Sequence, residues 1–280
     1  MSNRLYRLKN IYLKNGIKGI INHVLFKLKI NYRLKNDLDR LKEYFSKTLA
    51  EKLEYRIQSG HFKDIKLIFN NNTGIIANRL ENLYETEVIN EIVKLQTKFN
   101  KKYFVEFGVA EGFYVNGLLG KNIFNFSIGF DIDKKLLNLC KKNLISNNVA
   151  QNKFKLINQK IDENSFNYFR ENNIDLEECF FLIDIEGDEL RVLNEKNLYQ
   201  LRNSLLIIEI HNFLKKEEEF LKLKNNLLNI FEVKKISIGS RHFDEKSFHK
   251  TFLRSEIEKN IYCSELRPSG MYWLVCKPKN

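Results

Sequence analysis

Ionisable side chains end two apolar segments in the second half of this 280-residue chain. One segment leads into Asp184-Ile185-Glu186, and the next ends in Glu209-Ile210-His211. Each pair of ionisable groups is spaced i and i+2, so both members lie on the same side of an extended chain. Packing alone does not explain such endings, whereas catalytic sites use these residue types. We predict that Asp184, Glu209 and His211 are catalytic.

The three side chains allow more than one chemistry. His211 is the preferred general base, because the unperturbed pKa of imidazole lies near neutrality. The alternative for His211 is a structural histidine that is satisfied by hydrogen bonds. Asp184, Glu209 and His211 could also converge on one divalent cation. Glu186 could fix the loop that follows by accepting backbone amides.

A glycine loop follows an earlier apolar segment and could hold a ligand. It runs from Val105 through Glu106, Phe107, Gly108, Val109, Ala110 and Glu111 to Gly112. Glycines let the backbone turn tightly and approach a ligand closely. The loop lacks the first glycine of the dinucleotide fingerprint and the Gly-Lys-Ser/Thr ending of a phosphate-binding loop. An acidic residue two positions before G-x-x-x-G instead looks like motif I of class I S-adenosylmethionine methyltransferases.

Polar residues follow the next two apolar segments as well. Asp131 ends Ile128-Gly129-Phe130-Asp131, where a carboxylate can accept hydrogen bonds from both ribose hydroxyls. A helix N-cap is the alternative for Asp131 and the preferred interpretation for Asp133. Gln159 and Asp162 could meet an adenine amino group, or they could belong to a plain loop. The loop and Asp131 together are a more specific signal than either alone.

Alternating strands and helices must position these residues. Strands are expected at 103–107, 126–130, 153–157, 180–185, 204–210, 233–238 and 272–277. Helical spacing is expected at 85–98, 114–119, 134–144, 165–171, 189–198 and 217–229. This alternation predicts a doubly wound α/β fold, whose parallel sheet is covered on both faces. Ligands bind such sheets at the carboxyl ends of the strands, where the candidate residues lie.

Four motifs together resemble the FkbM family of methyltransferases: VEFGVAEG, GFDID, FLIDIEGDELRVL and LLIIEIH. The resemblance covers roughly residues 80–240. It implies a Rossmann-like, seven-stranded class I methyltransferase sheet of order 3-2-1-4-5-7-6, with the last strand antiparallel. It also implies O-methylation, typically of sugars in surface polysaccharides (capsule or lipopolysaccharide), glycoconjugates or secondary metabolites. The acceptor is a sugar or a nucleotide sugar in this interpretation.

The resemblance also implies a cofactor site. The residues expected to bind S-adenosylmethionine are Glu106, Phe107, Gly108, Val109, Gly112, Asp131, Ile132, Gln159, Asp162 and Asp184. Related sugar O-methyltransferases of the macrocin type place metal-binding carboxylates after the same two strands as Asp184 and Glu209. Here the second pair is Glu209 and His211 rather than two aspartates, so a divalent cation stays an open alternative.

The net charge of +12 is concentrated near the N-terminus. Residues 1–60 hold 14 Lys and Arg against 5 Asp and Glu. We predict a basic helical extension over 1–75 and the methyltransferase domain over 76–280. Apolar residues recur at helical spacing in two places: Ile17, Ile20, Ile21, Val24, Leu25 and Leu28, then Leu38, Leu41, Phe45, Leu49 and Leu53. The first face could pack on the main domain or a second subunit, or rest on an anionic membrane surface.

Several classes of protein are excluded or disfavoured. No proline precedes Pro268, so the Asn/Asp/Ser-Pro-Pro-aromatic and Pro-Cys motifs of nucleic-acid amino- and cytosine C5-methyltransferases are absent. The lysines of a ribose 2′-O-methylating Lys-Asp-Lys-Glu set are also missing, so a nucleic acid is not the expected partner. An RNA ribose methyltransferase and a non-catalytic assembly protein are the two alternatives. Without an apolar run of 18 residues or a secretory signal, a cytoplasmic protein is expected, with the inner membrane surface as a peripheral location.

Overall fold

The centre of the protein is a seven-stranded sheet. In the computed structural model, which describes residues 37–69, 76–211, 217–238, 265 and 271–279, the strand order is β3-β2-β1-β4-β5-β7-β6. The strands are β1 (Tyr103–Phe107), β2 (Phe126–Asp131), β3 (Phe154–Asn158), β4 (Cys179–Ile183), β5 (Leu205–Ile210), β6 (Phe231–Ile236) and β7 (Tyr272–Pro278). β7 runs antiparallel to both of its neighbours, β5 and β6. The predicted Rossmann-like fold class and strand order are confirmed.

Helices cover both faces of this sheet. They are α1 (Asp37–Lys52), α2 (Ile76–Leu80), α3 (Thr86–Phe99), α4 (Phe113–Gly120), α5 (Lys134–Ser146), α6 (Asn167–Glu171), α7 (Glu189–Val192), α8 (Glu195–Gln200) and α9 (Glu217–Ile230). Short 3₁₀ turns precede β3 and β4, at Gln151–Lys153 and Leu176–Glu178. Among the helices that the structure describes, none has both the length and the apolarity needed to cross a bilayer.

The register of the central strands brings the predicted site residues to one edge. Every residue of β4 and β5 is buried, as the apolar runs predict for strands covered on both faces. Phe107 pairs with Ile183, and Ile183 pairs with Ile208. The residues that follow these three strands therefore meet at the carboxyl edge of the sheet.

Residues 53–69, here called the N-terminal arm, pack on the outer surface of α4 and α5. The apolar side chains of the arm, Leu53, Ile57, Phe62, Ile65 and Leu67, belong to the same buried cluster as residues of β1, β4 and α4. Backbone N–H groups of Lys66 and Ile68 donate to the side chains of Asn147 and Asn143. The described part of the predicted extension thus shares one core with the sheet. The helix predicted near residues 17–28 lies outside the described residues.

Two differences from the predicted element boundaries bear on the site. The helix expected over 189–198 is two helices, α7 and α8, because Asn194 is extended and caps α8 by accepting from the N–H of Asn197. The strand expected over 180–185 ends at Ile183, so Asp184 and Glu186 lie in the loop after β4 rather than on one side of an extended strand. Glu186 there has a left-handed backbone, with φ of 52°.

Candidate active site

The glycine loop is held between β2 and β4. Gly108 has φ of +91°, and its N–H donates to the carbonyl oxygen of Phe130 in β2. The N–H of Asp184 donates to the carbonyl oxygen of Phe107. A Cβ atom on Gly108 would collide with the backbone of Asp184. Glycine is therefore required where the backbone after β1 lies against the backbone after β4.

Asp131 connects the glycine loop to the end of β2. Its Oδ2 accepts from the N–H of Ala110 and its Oδ1 from the N–H of Asp133, both at 2.7 Å. The carboxylate is partly exposed and keeps further lone pairs on both oxygens. The structure therefore brings Asp131 to the loop, where the sequence predicted it.

The remaining predicted cofactor residues beyond β2 and β3 lie nearer the surface. Asp133 is the N-cap of α5, as predicted, and accepts from the N–H of Lys135. Ile132 is 69% exposed and Gln159 is also exposed. Asp162 accepts hydrogen bonds from the turn that follows it, from the N–H of Asn164 and the hydroxyl of Ser165. Their contact with a cofactor stays a prediction.

Glu106 is a buried acid beneath the glycine loop. Burial above all, and then the nearby charge of Asp184, raise its pKa well above the ordinary range, while a backbone hydrogen bond from Val115 opposes the shift. Its Oε2 is buried and has no hydrogen-bond partner among the described residues. A buried oxygen without a partner is rare in proteins, and it leaves Glu106 able to accept a further hydrogen bond.

His211 is the centre of a cluster of carboxyl groups at the carboxyl edge of the sheet. Its ring is buried, and Nδ1 lies 2.7 Å from Oε1 of Glu189. On the other side of the ring, Nε2 lies 3.4 Å from Oε2 of Glu209, 3.5 Å from Oδ1 of Asp184 and 3.6 Å from Oε2 of Glu186. The structure thus brings together all three residues that the sequence predicted to be catalytic.

Burial and mutual repulsion set the protonation of this cluster. Burial first, then the charge of Asp184, raise the pKa of Glu209 far above its usual range. The pKa of Asp184 is also raised by burial, although a hydrogen bond from Glu209 opposes that shift. Glu209 is therefore the protonated partner, whose hydroxyl donates to the carboxylate of Asp184. Burial would lower the pKa of His211, but Glu189 and Asp184 outweigh it and raise that pKa.

Sequence reasoning missed two parts of this region. Glu189 was not predicted, because an acidic residue at the start of a helix is common for electrostatic reasons alone. Arg79 of α2 forms an ion pair with Glu111 of the glycine loop, and its guanidinium lies over the rings of Tyr84 and Phe113. No motif marks Arg79, since the contact joins distant parts of the chain.

A metal ion could also be held at the edge of this cluster. One ligand atom from each of Asp184, Glu186 and His211 lies within 4.8 Å of the other two. This set contains Glu186 where the sequence predicted Glu209. Carboxylate and imidazole ligands suit several divalent ions. A divalent cation stays a prediction.

Comparison with known proteins places the fold in a class. No protein-family model matches the chain, and no curated protein sequence matches it. Solved structures do match. The MTase domain of METTL16 has a TM-score of 0.50 at 12% identity, covering 86% of this chain and 80% of that chain.

Two further structures have lower scores. A putative O-methyltransferase from Klebsiella pneumoniae has a TM-score of 0.43 at 9% identity, covering 93% of this chain and 97% of that chain. An rRNA methylase from Streptococcus thermophilus has a TM-score of 0.43 at 14% identity, covering 69% of this chain and 96% of that chain. Likeness at such identities concerns the fold alone. The chain has the fold of class I methyltransferases, and its membership of the FkbM family stays a prediction.

Proposed function

We propose that the chain is an S-adenosylmethionine-dependent O-methyltransferase of the FkbM family that acts on a sugar hydroxyl. The acceptor would belong to the biosynthesis of a surface polysaccharide or glycoconjugate. The observation that carries the proposal is the buried imidazole of His211. It lies among Asp184, Glu209 and Glu186 at the carboxyl edge of a class I methyltransferase sheet. This is the edge at which such folds bind their ligands.

The residues around the glycine loop fit S-adenosylmethionine. The positive charge of an ammonium group would favour the ionised form of Glu106, whose buried Oε2 can accept a hydrogen bond from that group. Asp131 can accept from ribose hydroxyls while it keeps its two backbone hydrogen bonds. The loop has no lysine and no Gly-Lys-Ser/Thr ending, which suits a ligand without phosphate. When bound, the cofactor supplies an activated methyl group on a sulfonium.

The chain's own residues can prepare an acceptor hydroxyl for methylation. Neutral His211 can take the hydroxyl proton at Nε2, because Nδ1 is already engaged by Glu189. The carboxylate of Asp184 can accept from the same or a neighbouring hydroxyl. Glu209, as the protonated partner, holds Asp184 in place. Positioning of this kind supplies much of the rate in methyl transfer.

The charge of the cluster favours a sugar over a nucleic acid. Four carboxyl groups, those of Asp184, Glu186, Glu189 and Glu209, lie within 3.6 Å of the imidazole nitrogens of His211. Such groups accept hydrogen bonds from hydroxyls but repel a phosphodiester. RNA ribose methylation is therefore the weaker candidate. A salt titration against RNA separates the two, because phosphate contacts give a steep dependence of affinity on salt.

A methyl-transfer screen tests the proposal. Labelled S-adenosylmethionine is offered with nucleotide sugars, capsule-type oligosaccharides and RNA, each with and without a chelator. We expect transfer to a sugar, and His211→Ala to lower kcat by about 10²-fold or more. Calorimetry is expected to give the same cofactor affinity for this variant as for the unaltered chain.

His61→Ala is the matched control, because His61 is exposed on the N-terminal arm. Full activity of His211→Ala would refute the role of the imidazole as base. Loss of transfer with chelator would favour the cation at Asp184, Glu186 and His211. The absence of any heat or thermal shift with S-adenosylmethionine would refute the proposed function and favour an assembly protein.

A further inference from the structure

Glu189 has a buried carboxyl group, and a contribution to the stability of the fold does not explain why it is there. It is the first residue of α7, and none of its side chain is exposed. Its Oε1 accepts from the N–H of Gly187 at 3.1 Å and lies 2.7 Å from Nδ1 of His211. Its Oε2 is buried without a hydrogen-bond partner among the described residues. Burying such an oxygen costs free energy that an apolar side chain of similar size would not cost.

The contact with Glu189 determines which nitrogen of His211 carries the proton. Oε1 of Glu189 already accepts from the N–H of Gly187 and so acts as an acceptor, and a neutral imidazole must present N–H at Nδ1 to it. Nε2 then has a lone pair on the side of Asp184, Glu186 and Glu209. Without Glu189, the nearest carboxyl oxygens would all lie 3.4 to 3.6 Å from Nε2. The proton would then move to Nε2.

The loop after β4 is shaped to hold Glu189 in this position. Glu186 and Gly187 have consecutive left-handed backbones, with φ of 52° and 99°. A non-glycine residue rarely adopts this conformation. The turn directs the N–H of Gly187 onto Oε1 of Glu189, which restricts the carboxyl group to one orientation. The same loop begins with Asp184, so one turn sets both sides of the imidazole.

We propose that Glu189 is a positioning residue that fixes His211 in the tautomer with a proton on Nδ1 and none on Nε2. In this state Nε2 can accept a proton from the acceptor hydroxyl. The effect on catalysis rests on the proposed function. The tautomer itself is a property of the free protein and can be measured without cofactor or acceptor.

Nitrogen NMR of the full chain, labelled at its histidine rings, tests the tautomer. His211 is assigned with His211→Gln, and spectra are recorded over a pH series up to about pH 10, until the ring is neutral, because the pKa of His211 is raised above the ordinary value of imidazole. We expect N–H at Nδ1 in the unaltered chain and at Nε2 in Glu189→Met, which keeps the length of the side chain but not its acceptor. A neutral ring with its proton on Nε2 in the unaltered chain overturns the proposal even if the variant does not fold.

Kinetics test the consequence, on the sugar acceptor found by the screen. We expect Glu189→Met to lower kcat by about 10²-fold or more, with KM and cofactor affinity within about twofold. Glu189→Gln, which keeps a carbonyl acceptor, is expected to restore the Nδ1 proton and most of the rate. Glu195→Met is the matched control at the exposed first residue of α8. An unchanged kcat in Glu189→Met overturns the positioning role, whereas a chain that methylates nothing refutes the proposed function and leaves the NMR result standing.

Discussion

At the scale of residues, a hydrogen bond between two carboxyl groups connects the ends of two neighbouring strands. Glu209 at the end of β5 donates to Asp184 after β4, and burial keeps Glu209 protonated. A carboxyl group whose pKa is raised by folding contributes its full stability below its ordinary pKa of 4.5. That contribution is lost as the pH rises towards the raised value. The stability of the protein is therefore expected to fall with rising pH on account of Glu209.

Glu209→Gln tests this expectation. Glutamine keeps a donor to Asp184 but does not titrate, so the variant gains stability relative to the unaltered chain as the pH rises. Urea unfolding at about pH 5 and about pH 9 is expected to show a relative gain of about 1 kcal/mol or more. Glu232→Gln is the control, because Glu232 lies on the surface and its pKa is lowered by Lys277. An equal difference at both pH values would contradict this hydrogen bond between the two carboxyl groups.

The sequence predicted the residues of the site better than their contacts. Asp184, Glu209 and His211 were singled out as candidates because ionisable groups interrupt apolar strands, a signal that needs no structure. Their order around the ring of His211 depends on the register of β4 and β5 and on the left-handed turn at Glu186. Neither feature leaves a pattern in the sequence. Glu189 was not predicted because an acidic residue at the start of a helix is common.

At the scale of elements, the glycines of α4 leave space for side chains of the N-terminal arm. A Cβ atom on Gly117 would collide with the ring of Phe62, which is buried, whereas one on Gly120 would meet only the terminal methyl of Ile65. The end of a flexible side chain can move, but a packed aromatic ring cannot do so cheaply. The same substitution is therefore expected to have different effects at the two positions.

Gly117→Ala is expected to destabilise the protein by about 1–2 kcal/mol, because overpacking outweighs the gain in helix propensity. Gly120→Ala is expected to be neutral or slightly stabilising. Urea unfolding of the two variants measures the difference. Equal free energies of unfolding would show that the side chain of Phe62 moves aside as easily as that of Ile65, and would contradict close packing of the arm on α4.

The arm was also the element that sequence reasoning described least. Residues 53–69 follow neither a helical nor a strand period, since their side chains are fitted to α4 and α5 rather than to one another. Periodic elements were predicted well because each buries a regular face. The break between α7 and α8 was missed because the cap at Asn194 competes with a continuous helical pattern.

At the scale of the whole molecule, the arm and the sheet form one core. The sequence predicted the alternating sheet from its periodicity, but the insertion of β7 between β5 and β6 came only from the family resemblance. A boundary was predicted at residues 75 and 76. The described part of the extension supplies Leu49, Ile57, Phe62 and Leu67 to the cluster that contains Phe104 and Phe180, and the boundary itself stays a prediction.

Truncation tests this shared core. A chain that begins at residue 76 is expected to lose cooperative unfolding, because it exposes the apolar surfaces of α4 and α5 that the arm covers. A chain that begins at residue 37 keeps every described residue and serves as the control. Urea unfolding followed by tryptophan fluorescence suits both, since Trp273 lies buried in β7. An unchanged midpoint for the shorter chain would contradict the shared core.

The place of β7 has a consequence for synthesis on the ribosome. β6 emerges roughly 35 residues before β7, but it has no strand to pair with until β7 lies beside β5. About 60 residues separate the end of β5 from the start of β7, so at about 5–20 residues per second the apolar edge of β5 stays open for roughly 3 to 12 seconds. An open edge of this kind invites pairing with other nascent chains. Chaperone capture of the unfinished polypeptide is therefore expected to peak after β5 has left the exit tunnel and before β7 has done so.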